Sequence, residues 1–278
     1  MTADLARPPQ TIDSAGFGPI NITKSVTITS PDGVEAGIVP AVGGDAIDIN
    51  AGPSDAIVLR GLTLDGSGIA VNGVVFNSGG SLTVTNCVVQ NFVQASGNTG
   101  NGILIQPSSG TSNPGINFAI TNTTAVNNQN VGIFYVPSFA AVVPVSGVID
   151  HVVATGNGFG IGVSPSGVSS TTVTISNSNA SNNRFSGISG GNSGSAVLTL
   201  SIDDVTISGN GIGTGFGINF SGTANVLLGR SVITGNLDGG IKNNTSPNTF
   251  YTYGNNQINL NPSGDIIGSP LLTTFTPR

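Results

Sequence analysis

The chain has 278 residues, of which only 7% are charged and 42 are glycine, and its net charge at pH 7 is −6. Glu, Lys, Gln and Met are scarce, so the composition disfavours helices, whereas the Val and Ile content suits strands. The only lysines, Lys24 and Lys242, form no basic stripe, so we expect no nucleic-acid partner. No apolar run of about 18 residues is present, and we expect no membrane span.

The first ten residues, MTADLARPPQ, show neither the pattern that follows nor the apolar segment of a signal peptide. We interpret residues 1–10 as a disordered segment or as a remnant of truncation or expression. The first recognisable repeat begins near Thr11.

From Thr11 onward, short runs of alternating apolar and polar residues recur along the chain. Their apolar anchors are Ile28, Leu59, Val84, Ile120, Ile149, Ile175, Ile202, Leu228 and Tyr253. Two residues after the anchors comes a polar column of Asn86, Asn122, His151, Asn177, Asp204, Arg230 and Asn255. Eight residues after them comes a second column of Asn128, Asn157, Asn183, Asn210, Asn236 and Asn261. A glycine followed by an apolar residue recurs a few positions later.

Each repeat therefore contains two or three short strands separated by Asn or Gly corners, which is one coil of a solenoid. Asparagine suits such corners because it tolerates left-handed backbone and its amide can bond to the coils above and below. We predict an all-β, single-stranded, right-handed parallel β-helix of about nine coils over residues 11–261, with handedness taken from the rule for parallel crossovers. The periodicity fades over residues 262–278, which we predict to form a C-terminal cap or tail.

The stretches GPINITKSVTI, GVEAGI, IVLRGLTLDG and YGNNQI resemble bacterial right-handed parallel β-helix repeat proteins of the pectate-lyase-like superfamily. The resemblance extends from Thr11 to about Asn261. It implies a polysaccharide or cell-surface glycan as partner and an extracellular or cell-surface location. The DPHE signature of alginate C5-epimerases is missing, as are the calcium ligands and paired basic residues of pectate lyases. Whether the chain is an enzyme stays open; if it is one, the resemblance implies a polysaccharide hydrolase or lyase.

Three residues are predicted as a catalytic cluster: Asp150, His151 and Asp203. The two aspartates fall two coils apart on one outward face, about 9.6 Å between backbones, near the roughly 6.5–9.5 Å that separates the carboxyls of inverting glycosidases. His151 is the only histidine and a natural proton carrier near neutral pH. Alternatively, the aspartates only solvate the face, and His151 replaces an Asn corner and bonds Asn122 and Asn177.

Four further residues are predicted to contact substrate. Arg60 lies on the same face as the aspartates, and Arg184 supplies a second cation. Tyr135, in an aromatic group with Phe134 and Phe139, could stack on a sugar ring or fill the core. Asp204 forms a pair with Asp203 that resembles polygalacturonase-like enzymes, although an ion pair between Asp204 and Arg230 is the simpler interpretation.

Seven of the thirteen acidic residues lie early in the chain: Asp13, Asp32, Glu35, Asp45, Asp48, Asp55 and Asp65. Calcium could be bound by such oxygens, but no recognised calcium loop is present, so solvation of the first coils is the alternative. We assign no metal ligand and expect no cofactor apart from this option of Ca²⁺. Cys87, the only cysteine, excludes an intrachain disulfide and is interpreted as inert packing.

Two functions remain open. The first is a carbohydrate-directed β-helix that binds or processes a polysaccharide along a parallel-sheet face. The alternative is a non-catalytic structural, surface-display or adhesin-like rod. Because uncovered end coils expose strand edges, we also expect end-to-end or side-by-side self-association.

Overall fold

The computed structural model describes residues 15–107, 115–137, 143–167, 170–212, 214–245, 249–268 and 272–275. Within these ranges the regular structure is entirely β-strand, and the chain winds into a right-handed parallel β-helix. The predicted fold class is therefore confirmed. Within the same ranges there is no helix long and apolar enough to cross a membrane.

Three parallel sheets run the length of the solenoid, and we name them A, B and C in the order in which each coil visits them. The strands of sheet A are Ala15–Phe17, Ala36–Ile38, Leu62–Asp65, Val88–Gln90, Thr124–Val126, Val153–Thr155, Thr206–Ser208, Val232–Thr234 and Gln257–Asn259. Bridges from Val153 to Asn179 and from Asn179 to Thr206 join its two parts.

Among the described residues, sheets B and C contain ten strands each. The strands of sheet B are Ile20–Ile22, Asp45–Asn50, Asn72–Ser78, Asn101–Ile105, Val131–Tyr135, Phe159–Val163, Ile188–Gly191, Phe216–Gly222, Gly239–Thr245 and Ile266–Gly268. The strands of sheet C are Val26–Thr29, Ala56–Arg60, Ser81–Thr85, Ile116–Thr121, Val145–Asp150, Ser170–Ser176, Val197–Asp203, Ala224–Gly229, Phe250–Thr252 and Thr273–Thr274. A two-stranded sheet joins Ser166–Gly167 to Ser193–Gly194. We call each level of stacked strands a rung, and the ten rungs of these sheets are close to the nine coils predicted.

The predicted anchors lie side by side in sheet C, with one exception. The register aligns Ile28 with Leu59 and continues through each later anchor to Leu228. The partner of Leu228 in the next strand is Thr252 and not the predicted Tyr253. Since side chains alternate across a strand, this shift of one residue places Tyr253 on the outer face.

The core is a stack of aliphatic files inside the coil. In sheet B, one file of isoleucines and a valine is almost completely buried: Ile47, Val74, Ile103, Ile133, Ile161, Ile188, Ile218 and Ile241. The alternating patterns of sheet C, such as BeBiBi over Ile116–Thr121, show the same inward and outward division. Burial of these side chains is the main stabilising contribution to the rod.

The second asparagine column forms a buried hydrogen-bonded ladder at the corner between sheets A and B. Each side-chain amide nitrogen donates to the side-chain oxygen of the next asparagine, at 2.8 to 3.2 Å, along Asn128, Asn157, Asn183, Asn210, Asn236 and Asn261. The last amide donates to the Asp265 carboxylate at 2.9 Å. The predicted stacking of this column is confirmed.

The recurring glycine before the apolar residue is explained by this ladder. A Cβ on Gly132 would lie 2.8 Å from the amide nitrogen of Asn157 and 2.8 Å from the carbonyl oxygen of Gly160. Gly160 stands in the same relation to Asn183. Only glycine leaves room for the amides, so the glycine and asparagine columns occur together.

The first polar column forms the corner between sheets C and A. Its residues adopt left-handed backbone, with φ between 47° and 55° at Asn86, Asn122, His151, Asn177, Asp204 and Arg230. Gly254, rather than Asn255, takes this conformation in the last corner, which follows from the same one-residue shift. These short corners fix the angle between the two sheets.

The predicted terminal segments fall only partly within the described ranges. The proposed disordered or remnant segment 1–10 and the first repeat residue Thr11 lie outside them. In the segment predicted as a cap or tail, Ile266–Gly268 pairs with sheet B and Thr273–Thr274 pairs with sheet C. This segment therefore adds strands to the solenoid.

Candidate functional site

The predicted acidic row lies on the outer face of sheet C. Asp150, Ser176 and Asp203 end three successive strands and are aligned in register. The two carboxyls are two rungs apart, about 9.6 Å along the rod. Arg60 belongs to the same row, three rungs before Asp150, and is exposed.

The Asp150 carboxylate is held by three neighbours. Asn177 and Ser176 donate to one oxygen at 2.8 and 2.7 Å, and the Nδ1 atom of His151 lies 2.7 Å from the other. The Asn177 hydrogen bond, with those from Ser176 and His151, lowers the pKa of Asp150 from 3.8 to about 2. Asp150 is therefore an anion at neutral pH and is suited to orienting His151 rather than to donating a proton.

His151 occupies a left-handed corner position, as the alternative interpretation expected. Its ring contacts Asp150 instead of the two predicted asparagine partners, and its side chain is 59% exposed. The backbone N–H of His151 donates to the Ser176 carbonyl, which fixes the corner to the next coil. The exposed ring could exchange protons with a bound molecule, but no second free carboxyl accompanies it among these neighbours.

Asp203 forms the ion pair that the sequence assigned to Asp204. The Arg230 guanidinium contacts the Asp203 carboxylate, whereas Asp204 occupies the left-handed corner and is exposed. The prediction that paired Arg230 with Asp204 is wrong, because the corner turns Asp204 away from the sheet row in which Asp203 lies. With Asp203 neutralised and Asp150 held by its neighbours, the row lacks a free acid and base pair.

Tyr135 is buried, which favours the alternative of core filling over the predicted contact with substrate. Its side chain is 1% exposed, its ring stacks on Phe118 with centroids 5.9 Å apart, and its hydroxyl lies 3.4 Å from the Thr171 hydroxyl. Tyr135 ends a strand of sheet B at an inward position, where the alternative of core filling applies. The neighbouring Phe134 points outward, and Phe139 lies outside the described residues.

Arg184 lies far from the acidic row, at the corner between sheets A and B. Its guanidinium covers the Phe185 ring at 5.2 Å, and Phe185 packs on Phe159 with ring centroids 4.9 Å apart. The structure therefore does not join Arg184 to Asp150, His151 and Asp203 in one site.

Three of the early acidic residues, Asp45, Asp48 and Asp65, accept hydrogen bonds from side-chain amides of the following coil. Asn72 donates to Asp45 at 2.8 Å, and Asn77 donates to Asp48 at 2.7 Å. Gln90 donates to Asp65 at 2.9 Å. Among the described residues, no group of three or more His, Cys, Asp or Glu side chains is arranged to hold a metal ion.

Cys87 fits the interpretation as packing. It is 2% exposed, its sulfur lies 3.3 Å from the Thr85 carbonyl, and burial raises the pKa of its thiol. A buried thiol of raised pKa is a weak nucleophile.

A shallow trough of about 510 Å³ lies on sheet B, where its strands lead into the loops towards sheet C. We call it the sheet B trough and define it by its lining residues Val136, Pro137, Ser164, Pro165, Ser166, Ser189, Gly190, Gly191, Asn192, Asn219 and Ser221. None of these lining residues is charged, and most present a hydroxyl, an amide or bare backbone.

Phe134 and Lys242 flank the trough on either side, in the same register row as its lining residues Ser189 and Asn219. Register aligns Phe134, Gly162, Ser189, Asn219 and Lys242 on successive rungs. A Cβ on Gly162 would lie 2.7 Å from the Phe134 ring, so the missing side chain lets that ring lie on the sheet. On the other side, the Lys242 ammonium lies 4.9 Å from the centre of the Phe216 ring.

The trough was not predicted because most of the predicted site residues lie on or beside the face that carries the anchors, in sheet C. A signal was available: the file one residue after the apolar residue of each glycine motif changes from Val75 and Leu104 to Ser189, Asn219 and Lys242. That change from apolar to polar residues marks the part of sheet B that meets solvent.

No protein-family model and no curated protein matches the chain. A solved structure that is similar to it is the A-module of the mannuronan C-5 epimerase AlgE6 of Azotobacter vinelandii. The superposition has a TM-score of 0.43 and 13% sequence identity, and covers 95% of this chain and 92% of the epimerase module. No residue role in this chain follows from that similarity.

Proposed function

We propose that this protein binds a polysaccharide in the sheet B trough and does not cleave it. The observation that supports this is a shallow, uncharged trough of about 510 Å³, flanked in its register row by an aromatic ring on one side and a cation on the other. Ligand sites commonly have volumes of about 300–1,000 Å³.

The side chains of the trough match the chemistry of sugars. Ser189, Ser221 and Asn219 can each donate and accept a hydrogen bond, as sugar hydroxyls do. The Phe134 ring offers an apolar face to the C–H side of a sugar ring. Because these groups lie on three strands of sheet B, with Gly162 between Phe134 and Ser189, an extended chain along the rod meets several of them.

Lys242 should give the trough a preference for acidic polysaccharides. It is partly buried beside Phe216 in the same register row, where its ammonium can pair with a carboxylate on a sugar. A chain that carries acidic sugars gains this interaction, whereas a neutral chain depends on hydroxyl contacts and stacking.

The contacts of the acidic row favour binding over catalysis. Asp203 is paired with Arg230, and Asp150 is held by Asn177, Ser176 and His151. Both lie on sheet C, outside the lining of the trough. The proposal includes an extracellular or cell-surface location, where polysaccharides are available.

The test is a panel of neutral and acidic polysaccharides in affinity gel electrophoresis. Ser221→Trp places a large ring in the trough and should abolish retardation by the bound polysaccharide, because Ser221 is an exposed lining residue. Lys242→Gln should weaken only the binding of acidic chains. Lys24→Gln, which removes the other lysine, is the matched control.

Two results would reject the proposal: no member of the panel retards the folded protein, or Ser221→Trp leaves retardation unchanged. Release of reducing ends or unsaturated products would reject the non-catalytic part. In that case Asp150→Asn, His151→Ala and Asp203→Asn would test the predicted catalytic cluster.

The rod-like alternative is favoured by one observation, the use of polar side chains within the fold. The asparagine ladder and the amide contacts of Asp45, Asp48 and Asp65 use polar side chains for contacts within the fold, so these side chains are not free to bind a ligand. A structural rod would bind no polysaccharide and would associate with itself. Sedimentation over a range of concentrations distinguishes this outcome.

A further inference from the structure

We propose that the last strands of sheet C form a second carbohydrate site, which stacks one neutral sugar ring on Tyr253 and binds its adjacent hydroxyls through Asp203 and Arg230. This site is separate from the sheet B trough and lies on a different sheet. Three observations carry it: an exposed aromatic cluster, a glycine that brings the cluster beside Asp203, and the exposed ion pair.

The aromatic cluster consists of Tyr251, Tyr253 and Phe275. Phe275 packs edge to face on both tyrosines, with ring centroids 6.4 Å from Tyr251 and 5.8 Å from Tyr253. Yet 37% of Tyr253 and 47% of Phe275 remain exposed. The edge contacts hold the Tyr253 ring in place and leave part of its surface available for stacking.

Gly229 brings this cluster and the acidic row together. It follows Asp203 in register, and a Cβ at this position would lie 2.9 Å from the Asp203 carboxylate and 3.0 Å from the Tyr253 ring. Any other residue would separate the ring from the carboxylate. The glycine therefore leaves an aromatic surface next to a hydrogen-bonding group, which is the combination that a sugar ring requires.

The ion pair supplies both an acceptor and donors. The Asp203 carboxylate is 35% exposed and the Arg230 side chain 62% exposed, so each keeps hydrogen-bonding capacity beyond their mutual contact. A carboxylate accepts from one hydroxyl while the guanidinium donates to its neighbour. This set fits two adjacent sugar hydroxyls.

Local charge selects the class of sugar. Asp203 and the exposed Asp204 are adjacent, and Arg230 neutralises only Asp203. A carboxylated sugar would be repelled by Asp204. The occupant is therefore a neutral sugar ring in a soluble oligosaccharide or at an exposed position of a polysaccharide.

Tyrosine fluorescence tests the proposal directly. The chain has no Trp and three tyrosines, of which Tyr251 and Tyr253 are in the cluster and Tyr135 is buried. Titration with cellohexaose, xylohexaose or mannohexaose should produce a saturable change in emission with at least one of them. Calorimetry should then show binding weakened about tenfold or more in Tyr253→Ala and largely restored in Tyr253→Phe.

Controls separate this site from the trough and from general damage. Phe17→Ala removes an aromatic ring that is 42% exposed on the first strand of sheet A and should leave affinity unchanged. Asn219→Ala, in the trough, should also leave it unchanged. Asp203→Asn should weaken binding several-fold with the fold intact by circular dichroism.

Three results would overturn the proposal. No hexasaccharide changes the emission, or Tyr253→Ala binds as well as the unaltered protein, or Tyr253→Ala abolishes a dimer and thereby shows that a second copy covers the cluster. If Asn219→Ala alone loses binding, this second site is refuted while the trough proposal stands. If Tyr253→Ala alone loses binding, this second site stands, and the trough proposal is decided by its own test with Ser221→Trp and the polysaccharide panel.

Discussion

Replacing Asn183 with alanine should destabilise the protein more than an ordinary polar substitution. Asn183 is fully buried in the middle of the ladder. Its oxygen accepts the backbone N–H and the side-chain amide of Asn157, at 3.0 and 3.2 Å. Its own amide donates to the Ala154 carbonyl and to the Asn210 side chain, both at 3.0 Å.

The magnitude follows from the groups left without partners. The Asn157 backbone N–H loses its acceptor, and the Ala154 carbonyl loses the side-chain donor, whereas Asn210 keeps the backbone N–H of residue 183. Each unsatisfied buried group costs about 1–3 kcal/mol. We therefore expect the free energy of unfolding to fall by about 3–5 kcal/mol, at the high end for single substitutions.

Urea unfolding followed by far-ultraviolet circular dichroism measures this loss. The matched control is Asn259→Ala, which removes an exposed asparagine whose side-chain oxygen accepts a hydrogen bond from the Thr234 hydroxyl in the adjacent strand. It should change stability by less than about 0.5 kcal/mol. A loss below about 1 kcal/mol for Asn183→Ala, with an unchanged dependence on urea, would refute the reasoning that the ladder is a principal structural element.

Three further outcomes are expected. Gly132→Ala should cost about 2–3 kcal/mol in thermal unfolding because its Cβ would contact the Asn157 amide, whereas Gly18→Ala, with open space around it, should be neutral; equal effects would contradict the explanation. As pH falls from about 4 to 2, the unaltered protein should lose roughly 1 kcal/mol more stability than Asp150→Asn. The folded pKa of Asp150 is lowered to about 2, so its ionised carboxylate stabilises the fold above pH 4 and this stabilisation is lost as the pH falls to 2. Parallel stability profiles of the two proteins would contradict this expectation. Tyr135→Ala should lower the free energy of unfolding by about 3–5 kcal/mol, and a loss of glycan binding at unchanged stability would restore its predicted surface role.

The solenoid could be predicted because its determinants recur along the chain. Asn157, Asn183 and Asn210 appear at nearly constant intervals, and a residue that stacks on its own kind must recur once per coil. Glycine accompanies the asparagine for a steric reason that is equally periodic. Because the pattern repeats in many coils, an ambiguous residue in one coil does not change the prediction. The strand register confirms the predicted stacking.

Individual surface residues were harder to predict because one position decides the face of a strand. Tyr253 has the spacing of an anchor, but the coil before it places Thr252 in register and turns Tyr253 outward. Phe134 and Tyr135 are adjacent aromatics, and their sequence does not indicate which one points inward. The structure buries Tyr135 and leaves Phe134 on sheet B.

The sequence also could not predict a contact between coils where two candidate partners are adjacent residues. Asp203 and Asp204 both precede Arg230 by about one coil, and only the left-handed corner at Asp204 decides which carboxylate meets the guanidinium. The trough depends on the absence of side chains at Gly162 and Gly191, and the spacing of polar or charged residues does not predict such an absence.

The direction of the hydrogen bonds limits how the two asparagine ladders can be extended. The long ladder donates towards the C-terminal end and stops at Asp265, whereas a shorter one passes from Asn101 through Asn72 to Asp45 at the opposite end. Because a carboxylate accepts but does not donate, neither series can be continued past its acidic terminus in the same direction. Repeats acquired by duplication would therefore extend a ladder only if they were inserted between existing asparagines, whereas a coil added beyond the carboxylate, such as the one that contains Ile20–Ile22, must satisfy its corner in another way.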